Sequence, residues 1–423
     1  MKHQELKGKR LLVLGGSTWK ESIKAFKEEN EIIIIAAGLW HVGIYDVADE
    51  CYTIDILNPE IMKEFIIDKH IDGVYMGGAE NVISVACQYI NELGLPCYCT
   101  KDQWEFLQNK SNFKRLCKNN GLPVVPQYMI DEKDIMGSVP LDAYPVITKP
   151  TDGCGSNGFT VCRTPEELID GYKKAVTESS SHSVICEKFV KNTGVVVFYT
   201  FSNGNVIFSG LEDKYPVCFE KYGSYVGGLF TFESKLTQEY LNRFEQRVEK
   251  MFQSIGIKEG SAWIEVFHDG DDYFFNEVGF RYGGSVSIYP VNYITGINQV
   301  AADIYYCLTG KSNIYHHTSL IKSSIEKGLN YAIYPIYARS GVLAEVNGLD
   351  NISNIVFSTI TKPIGAKIED SGSFNQNVAI IHFVYKNDVE LKDTIDAIHS
   401  SLKILDEEGL NMIIKMLNVE KII

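Results

Sequence analysis

Two glutamates and an arginine set in apolar surroundings are the residues of this sequence best placed to do chemistry. In FFNEVGFRYGG, residues 274–284, Glu277 and Arg281 stand four positions apart among aromatic residues and glycines. Twelve positions before Glu277, the segment SAWIEVF carries Glu265. Both segments read as strands around HDGD, with Trp263, Glu265 and Phe267 on one face and Tyr273, Phe275 and Glu277 on one face of the partner. A two-residue Asp269–Gly270 turn sends the carboxylates to opposite sides. A three-residue Asp269–Gly270–Asp271 loop pairs 265 with 275 and makes the acids diagonal neighbours, roughly 7–8 Å apart. Ionised carboxylates that close and that buried are costly without cations between them. The second arrangement is therefore expected, with a divalent cation clasped between the strands.

A second group of residues suits an anion. KPTDGCGSNG lacks the GK[ST] of a P-loop, yet it follows a strand that places Lys149 at its mouth. Glycines at 153, 155 and 158 leave several backbone N–H groups free to face a negative charge. Softer candidates are Asp213 and Lys214, facing a substrate or forming an ordinary ion pair, and Glu80, facing a substrate amine or starting a helix. Tyr222, Tyr225 and Tyr282 are expected around a substrate pocket.

These residues need a scaffold, and the hydrophobic pattern supplies one. RLLVLGG, EIIIIAAG, IDGVYMGGAE and LPCYCT read as strands alternating with helices over 59–69 and 82–93, an open parallel sheet through about residue 106. Gly-Gly-Ser-Thr-Trp after the first strand is not GxGxxG, and no acid ends the second, so a dinucleotide fold is not indicated. From Lys110 the order becomes helix, strand, glycine loop, strand and helix. Strands around an Asn203–Gly204 hairpin turn, a long helix over 236–255 ended by Gly256 and the acid-bearing pair follow, and the tail mixes strands with a final helix from Leu391.

Composition bounds the function. The chain has 423 residues, 45% hydrophobic and 22% charged, with a net charge of −14, which disfavours a nucleic-acid surface. Its longest strongly apolar run, Ile32–Ala37, is too short for a membrane span, and the start MKHQELKGKRLLVLGG lacks signal-peptide features. Ten scattered cysteines read as reduced thiols, so a cytoplasmic location is expected.

The order Lys110, Lys149 with its glycine loop, CEKFV, Glu265, then Glu277 with Arg281 resembles the ATP-grasp superfamily of carboxylate–amine ligases. GVLAEVNGLDNI and LDEEGLNMI in the tail resemble the branch with amino-acid ligases, purine-pathway ligases and biotin carboxylase. The resemblance implies an α/β ATP-grasp fold. Its parts would be an N-terminal Rossmann-like open parallel-sheet domain (1–106), an ATP-grasp domain (107–312, lid about 123–186) and a C-terminal α+β domain (313–423). It implies that Lys110 and Lys149 hold ATP phosphates, and that Gly153, Gly155, Ser156, Asn157 and Gly158 form a lid over the triphosphate. Glu187 would meet the adenine amino group, and backbone at Lys188, Phe189 and Val190 the adenine edge. Glu265 and Glu277 would ligate Mg²⁺, or Mn²⁺ in its place. Arg281 would bind the transferring phosphoryl group or the substrate carboxylate. The implied reaction is an ADP-forming ligation of a small carboxylic acid or amino acid with an amine through an acyl phosphate. Alternatives are a bicarbonate-activating carboxylase component and an ATP-binding scaffold that has lost turnover. Relatives of this architecture often dimerise. The sequence departs from the family twice: Gly279 stands where a metal-binding Asn is usual, with Asn276 expected on the opposite side of the strand from Glu277, and TGVVV replaces a Gly-x-Glu that often contacts ribose.

Overall fold

The computed structural model describes residues 2–41, 43–151, 158–190, 193–222, 224–270, 272–314, 328–349, 352–415, 417–418 and 420. Strands β1 (Arg10–Val13), β2 (Ile33–Gly38), β3 (Glu50–Thr53) and β4 (Gly73–Tyr75) form a parallel sheet in the order β3-β2-β1-β4. Helices α1 (Lys20–Asn30), α2 (Pro59–Asp68) and α3 (Glu80–Glu92) connect or follow them. Along β1 the side chains alternate between two cores, Leu12 in one and Leu11 with Val13 in the other. A sheet covered on both faces needs such continuous apolar strands.

One sequence expectation fails here. LPCYCT forms no strand; it leads into a capping box in which Thr100 and Gln103 start α4 (Lys101–Gln108). The fourth strand is instead β3, ECYT, a half-exposed edge strand whose polar alternation hides it from a search for apolar runs. The glycines after β1 make a tight turn and a close approach: Gly16 has φ of 97°, and a Cβ at Gly77, after β4, would meet the Gly15 backbone at 2.8 Å.

Helix α5 (Lys110–Asn119) is capped by the Asn109 side chain, which accepts from the Asn112 backbone N–H. Then come β5 (Gln127–Tyr128), β6 (Val146–Pro150), β7 (Thr160–Cys162), α6 (Pro165–Glu178) and β8 (Val184–Lys188), a small antiparallel sheet in the order β5-β8-β6-β7. The large sheet is built from β9 (Thr193–Ser202), β10 (Asn205–Phe219), β11 (Ser224–Phe232), β12 (Gly260–Asp269) and β13 (Asp272–Gly279). Asn203 and Gly204 join β9 to β10 with φ of 49° and 80°, as an Asn-Gly turn requires. Helix α7 (Thr237–Ser254) packs its Tyr240, Phe244, Val248 and Phe252 on one face of this sheet. Helices α8 (Ile288–Thr295) and α9 (Gln299–Thr309) pack on the other.

The tail adds β14 (Asn330–Ala338), β15 (Gly341–Asn347), β16 (Ile355–Ile360), β17 (Lys367–Ile368), β18 (Asn377–Tyr385), β19 (Lys403–Asp406) and β20 (Ile413–Ile414). Strand β14 pairs with β11, Phe230 opposite Ile333, so the large sheet runs β13-β12-β9-β10-β11-β14-β18-β16. Residues on both sides of position 313 thus share one sheet. Among the described residues no helix is long and apolar enough to cross a membrane.

Candidate active site

The hairpin that carries the acids differs from its expected register, and the difference brings the site together. Asp269 pairs with Asp272, so the connection is two residues, Gly270 and Asp271, of which Asp271 lies outside the described residues. Farther along, Val266 pairs with Phe275 but Glu265 pairs with Glu277, leaving Asn276 as an extra residue on β13. This bulge shifts the register by one. The acids are therefore direct cross-strand partners instead of diagonal ones. The bulge also turns Asn276 into the site, against the expectation that it points away. Its Nδ2 donates to Glu265 Oε2 at 2.6 Å, and its Oδ1 accepts from Lys149 Nζ at 3.1 Å.

Around this hairpin lies a cavity of about 1180 Å³. The small sheet roofs it, with Lys149 on β6 and Glu187 on β8; α5 contributes Lys110, and β10 contributes Lys214. The charged groups form a chain. Lys114 pairs with Glu187 Oε1, Lys149 Nζ lies 2.7 Å from Glu187 Oε2, Asn276 links Lys149 to Glu265, and Lys214 closes on Glu265 Oε1. Lys110 Nζ is 3.5 Å from Glu277 Oε2.

Charge in this chain is held by neighbours, against burial. Glu187 is 1% exposed; burial pushes its carboxyl up, but Lys149 and Lys114 outweigh that and hold it below the ordinary value. Glu265 likewise ends low, burial opposed by Lys214, Asn276 and Lys149. Burial pulls Lys149 down while Glu187 and the two facing glutamates pull it up, with a net rise. Lys114 is the exception: burial and the nearby Lys149 charge bring it to about 7, despite Glu187.

Arg281 is placed by β13 but held from elsewhere. Its Nε and Nη2 donate to Glu80 Oε1 at 3.0 and 2.7 Å, its Nη1 to the Tyr282 carbonyl at 2.7 Å, and its guanidinium lies 5.5 Å from the Trp263 ring centroid. Glu80, the first residue of α3, thus serves as Arg281's counter-ion. Trp263 also accounts for Gly279. A Cβ at 279 would lie 2.2 Å from Trp263 Nε1, so the indole fills the space where the resemblance places an Asn. Replacing Gly279→Asn should therefore destabilise the protein by about 1–3 kcal/mol through overpacking, measurable by urea unfolding, and should not raise metal affinity.

The other expected positions divide. Gly158, Lys188, Phe189 and Val190 line the cavity, as do Tyr222 and Tyr225. Gly153, Gly155, Ser156 and Asn157 lie outside the described residues. Tyr282 is core: it is buried, donates to the half-buried Asp303 and contacts the buried Tyr75. Asp213 accepts from Ser234 Oγ at 2.6 Å, and Lys214 pairs with Glu265, so the two do not pair with each other. The Glu187 carboxylate, expected on an adenine amino group, faces two lysines. Sequence reading missed Lys114, although four residues after Lys110 on a helix is the same-face spacing.

The cavity joins lysines suited to phosphates with a pair of opposed carboxylates suited to a divalent cation. Two protein carboxylates are the number Mg²⁺ ordinarily takes when phosphate and water supply its other oxygens, so the donor set fits.

Residues 109–304 match the family "Carbamoyl-phosphate synthase L chain, ATP binding domain". The chain is 22% identical over 274 residues to the carbamoyl phosphate synthase large chain of Clostridium acetobutylicum, covering 63% of this chain and 25% of that one. It spans about a quarter of the length of the first curated relatives it matches, each covered to 25%. Among solved structures it is similar to the L-amino acid ligase of Bacillus licheniformis, with a TM-score of 0.73, 19% identity, and coverage of 95% and 99% of the two chains. It is equally similar to the biotin carboxylase domain of the Hydrogenobacter thermophilus 2-oxoglutarate carboxylase, solved with MgADP and bicarbonate (TM-score 0.73, 19% identity, 95% and 91% covered). These likenesses establish the fold.

Proposed function

We propose that the chain is an ATP-dependent, ADP-forming ligase that joins a small carboxylic acid to an amine, a reading supported by the match of residues 109–304 to the ATP-binding domain of the carbamoyl-phosphate synthase L chain. The observation that carries this reading is the direct opposition of Glu265 and Glu277 in one cavity with Lys110, Lys149 and Arg281. Adenine would enter the apolar end between Ile147, Val161, Phe189 and Val190, where backbone N–H and C=O groups can read its edge. Lys149 and Lys110 would hold the phosphates.

Glu265 and Glu277 would hold Mg²⁺, which when bound supplies charge neutralisation on the phosphate oxygens. Arg281, kept in place by Glu80 and Trp263, would receive the substrate carboxylate or the transferring phosphoryl group. The carboxylate oxygen attacks the γ-phosphorus as the bond to the β-phosphate oxygen breaks, giving ADP and an acyl phosphate. The amine then adds to the carbonyl, loses a proton and expels phosphate. Such transfer is governed by positioning and by charge stabilisation more than by covalent help from the protein. Closure of the small sheet over the cavity would keep water from the acyl phosphate.

The test is a nucleotide-release screen over amino acids and other small carboxylates, with and without candidate amines. ADP and phosphate should appear with a matched pair. AMP and pyrophosphate would rule the mechanism out.

A further inference from the structure

Glu212 is a buried acid that the proposed chemistry leaves unused. It is 1% exposed, and its Oε2 has no hydrogen-bond partner among the described residues. Burial pushes its carboxyl well above the ordinary range, and Lys214 is the cation that pulls it back.

The register places it beside the metal-ligand row. Glu277 pairs with Glu265, Glu265 with Val196, and Val196 with Glu212, so all four lie on one face of the large sheet. Lys214, two positions after Glu212 on β10, shares that face. Its own row runs through Gly194 to Phe267. To reach Glu265 the lysine must cross β9, and it does so where that strand has a glycine. Its alternative lies on its own strand: successive same-face positions are about 7 Å apart, within the reach of a four-carbon side chain. The other acid that acts on Glu212, Asp213, points to the opposite face and is bonded to Ser234.

A divalent cation and Lys214 cannot both take the same oxygen of Glu265. The geometry points to Lys214 as a lysine with two stations, leaving Glu265 for Glu212 when a divalent cation takes up Glu265. Glu212 is then a positioning residue that lowers the cost of loading the metal. This rests on the reading of Glu265 as a metal ligand.

The test measures Mn²⁺ uptake by the full chain saturated with ADP, following free Mn²⁺ by electron paramagnetic resonance. Glu212→Gln should weaken Mn²⁺ binding about tenfold or more, the worth of one hydrogen bond to a charged group. Lys214→Met removes the competitor and should tighten it. In the Lys214→Met background, Glu212→Gln should have no effect. ADP affinity without metal should be the same in every variant, which confirms that each is folded. Equal weakening by Glu212→Gln in both backgrounds, or no weakening in either, overturns the two-station lysine. Lys214→Met carries an independent reading: unchanged or weaker Mn²⁺ binding in that variant also overturns it. If instead Glu265→Gln leaves Mn²⁺ uptake unchanged, the fault lies with the assignment of Glu265 and with the proposed function.

Discussion

Glu187→Ala should cost the folded protein about 3–5 kcal/mol, the penalty for leaving buried charge without its partner, and should abolish ATP turnover. The reason is the pair of lysines on this one carboxylate. Lys114 contacts one oxygen and Lys149 the other, and all three groups are almost entirely buried. Removing the acid leaves two ammonium groups in a space closed to water. Lys114, already brought to about 7 by burial and by Lys149, should then lose its proton at neutral pH. Lys149 would lose the carboxylate that holds its ammonium in the cavity. Urea unfolding should show the lost stability.

The pH profile gives a second readout of the same group. Glu187 has a depressed carboxyl in the fold, so its contribution is present above the ordinary glutamate value of 4.5 and lost as pH falls through the lower folded value. The Glu187→Gln protein should lack that part of the acid transition. Lys114 works in the opposite sense. Its folded value lies below its unfolded 10.5, so the unfolded chain binds more protons between about 7 and 10.5, and this group's contribution to stability rises with pH there.

Glu277→Gln should reduce ADP formation by about 10³-fold, the scale set by losing one preorganised electrostatic contact in a closed site, while the protein stays folded. Glu277 suits this experiment better than Glu265. Its side chain is 32% exposed and its ion pair with Lys110 spans 3.5 Å, so the change disturbs little packing. Glu265→Gln should lower activity at least as much, but it would also break the Lys214–Glu265 pair and the Asn276 bond in a buried setting and cost stability. Steady-state ADP release with a matched substrate pair, beside a thermal melt, separates the two effects.

Much of this arrangement is legible in the residues, because it follows from burial. Acids in FFNEV and AWIEV have no place in an apolar strand unless cations meet them, and that alone links 265 to 277. The fold class is legible for a similar reason, since buried parallel strands must be apolar throughout. What the sequence hides is register. No feature of FFNEV announces that Asn276 is an extra residue, and alternation without the bulge sends it to the wrong side. Strand β3 is hidden because a half-exposed edge strand carries polar residues, and LPCYCT misleads because its apolar residues serve the core from a loop. Tyr282, expected around a substrate pocket, lies in the core instead, since nothing in RYGG separates a buried tyrosine from a pocket-lining one.

The central claim is that Glu265 and Glu277 face each other to hold a divalent cation at the phosphates of a nucleotide. Crystals grown with ADP and Mn²⁺, measured at the manganese absorption edge, test it most directly. The account predicts an anomalous peak between the two carboxylates, with the ADP phosphates beside it and Lys149 within contact. A peak elsewhere, or ADP bound outside this cavity, would contradict it.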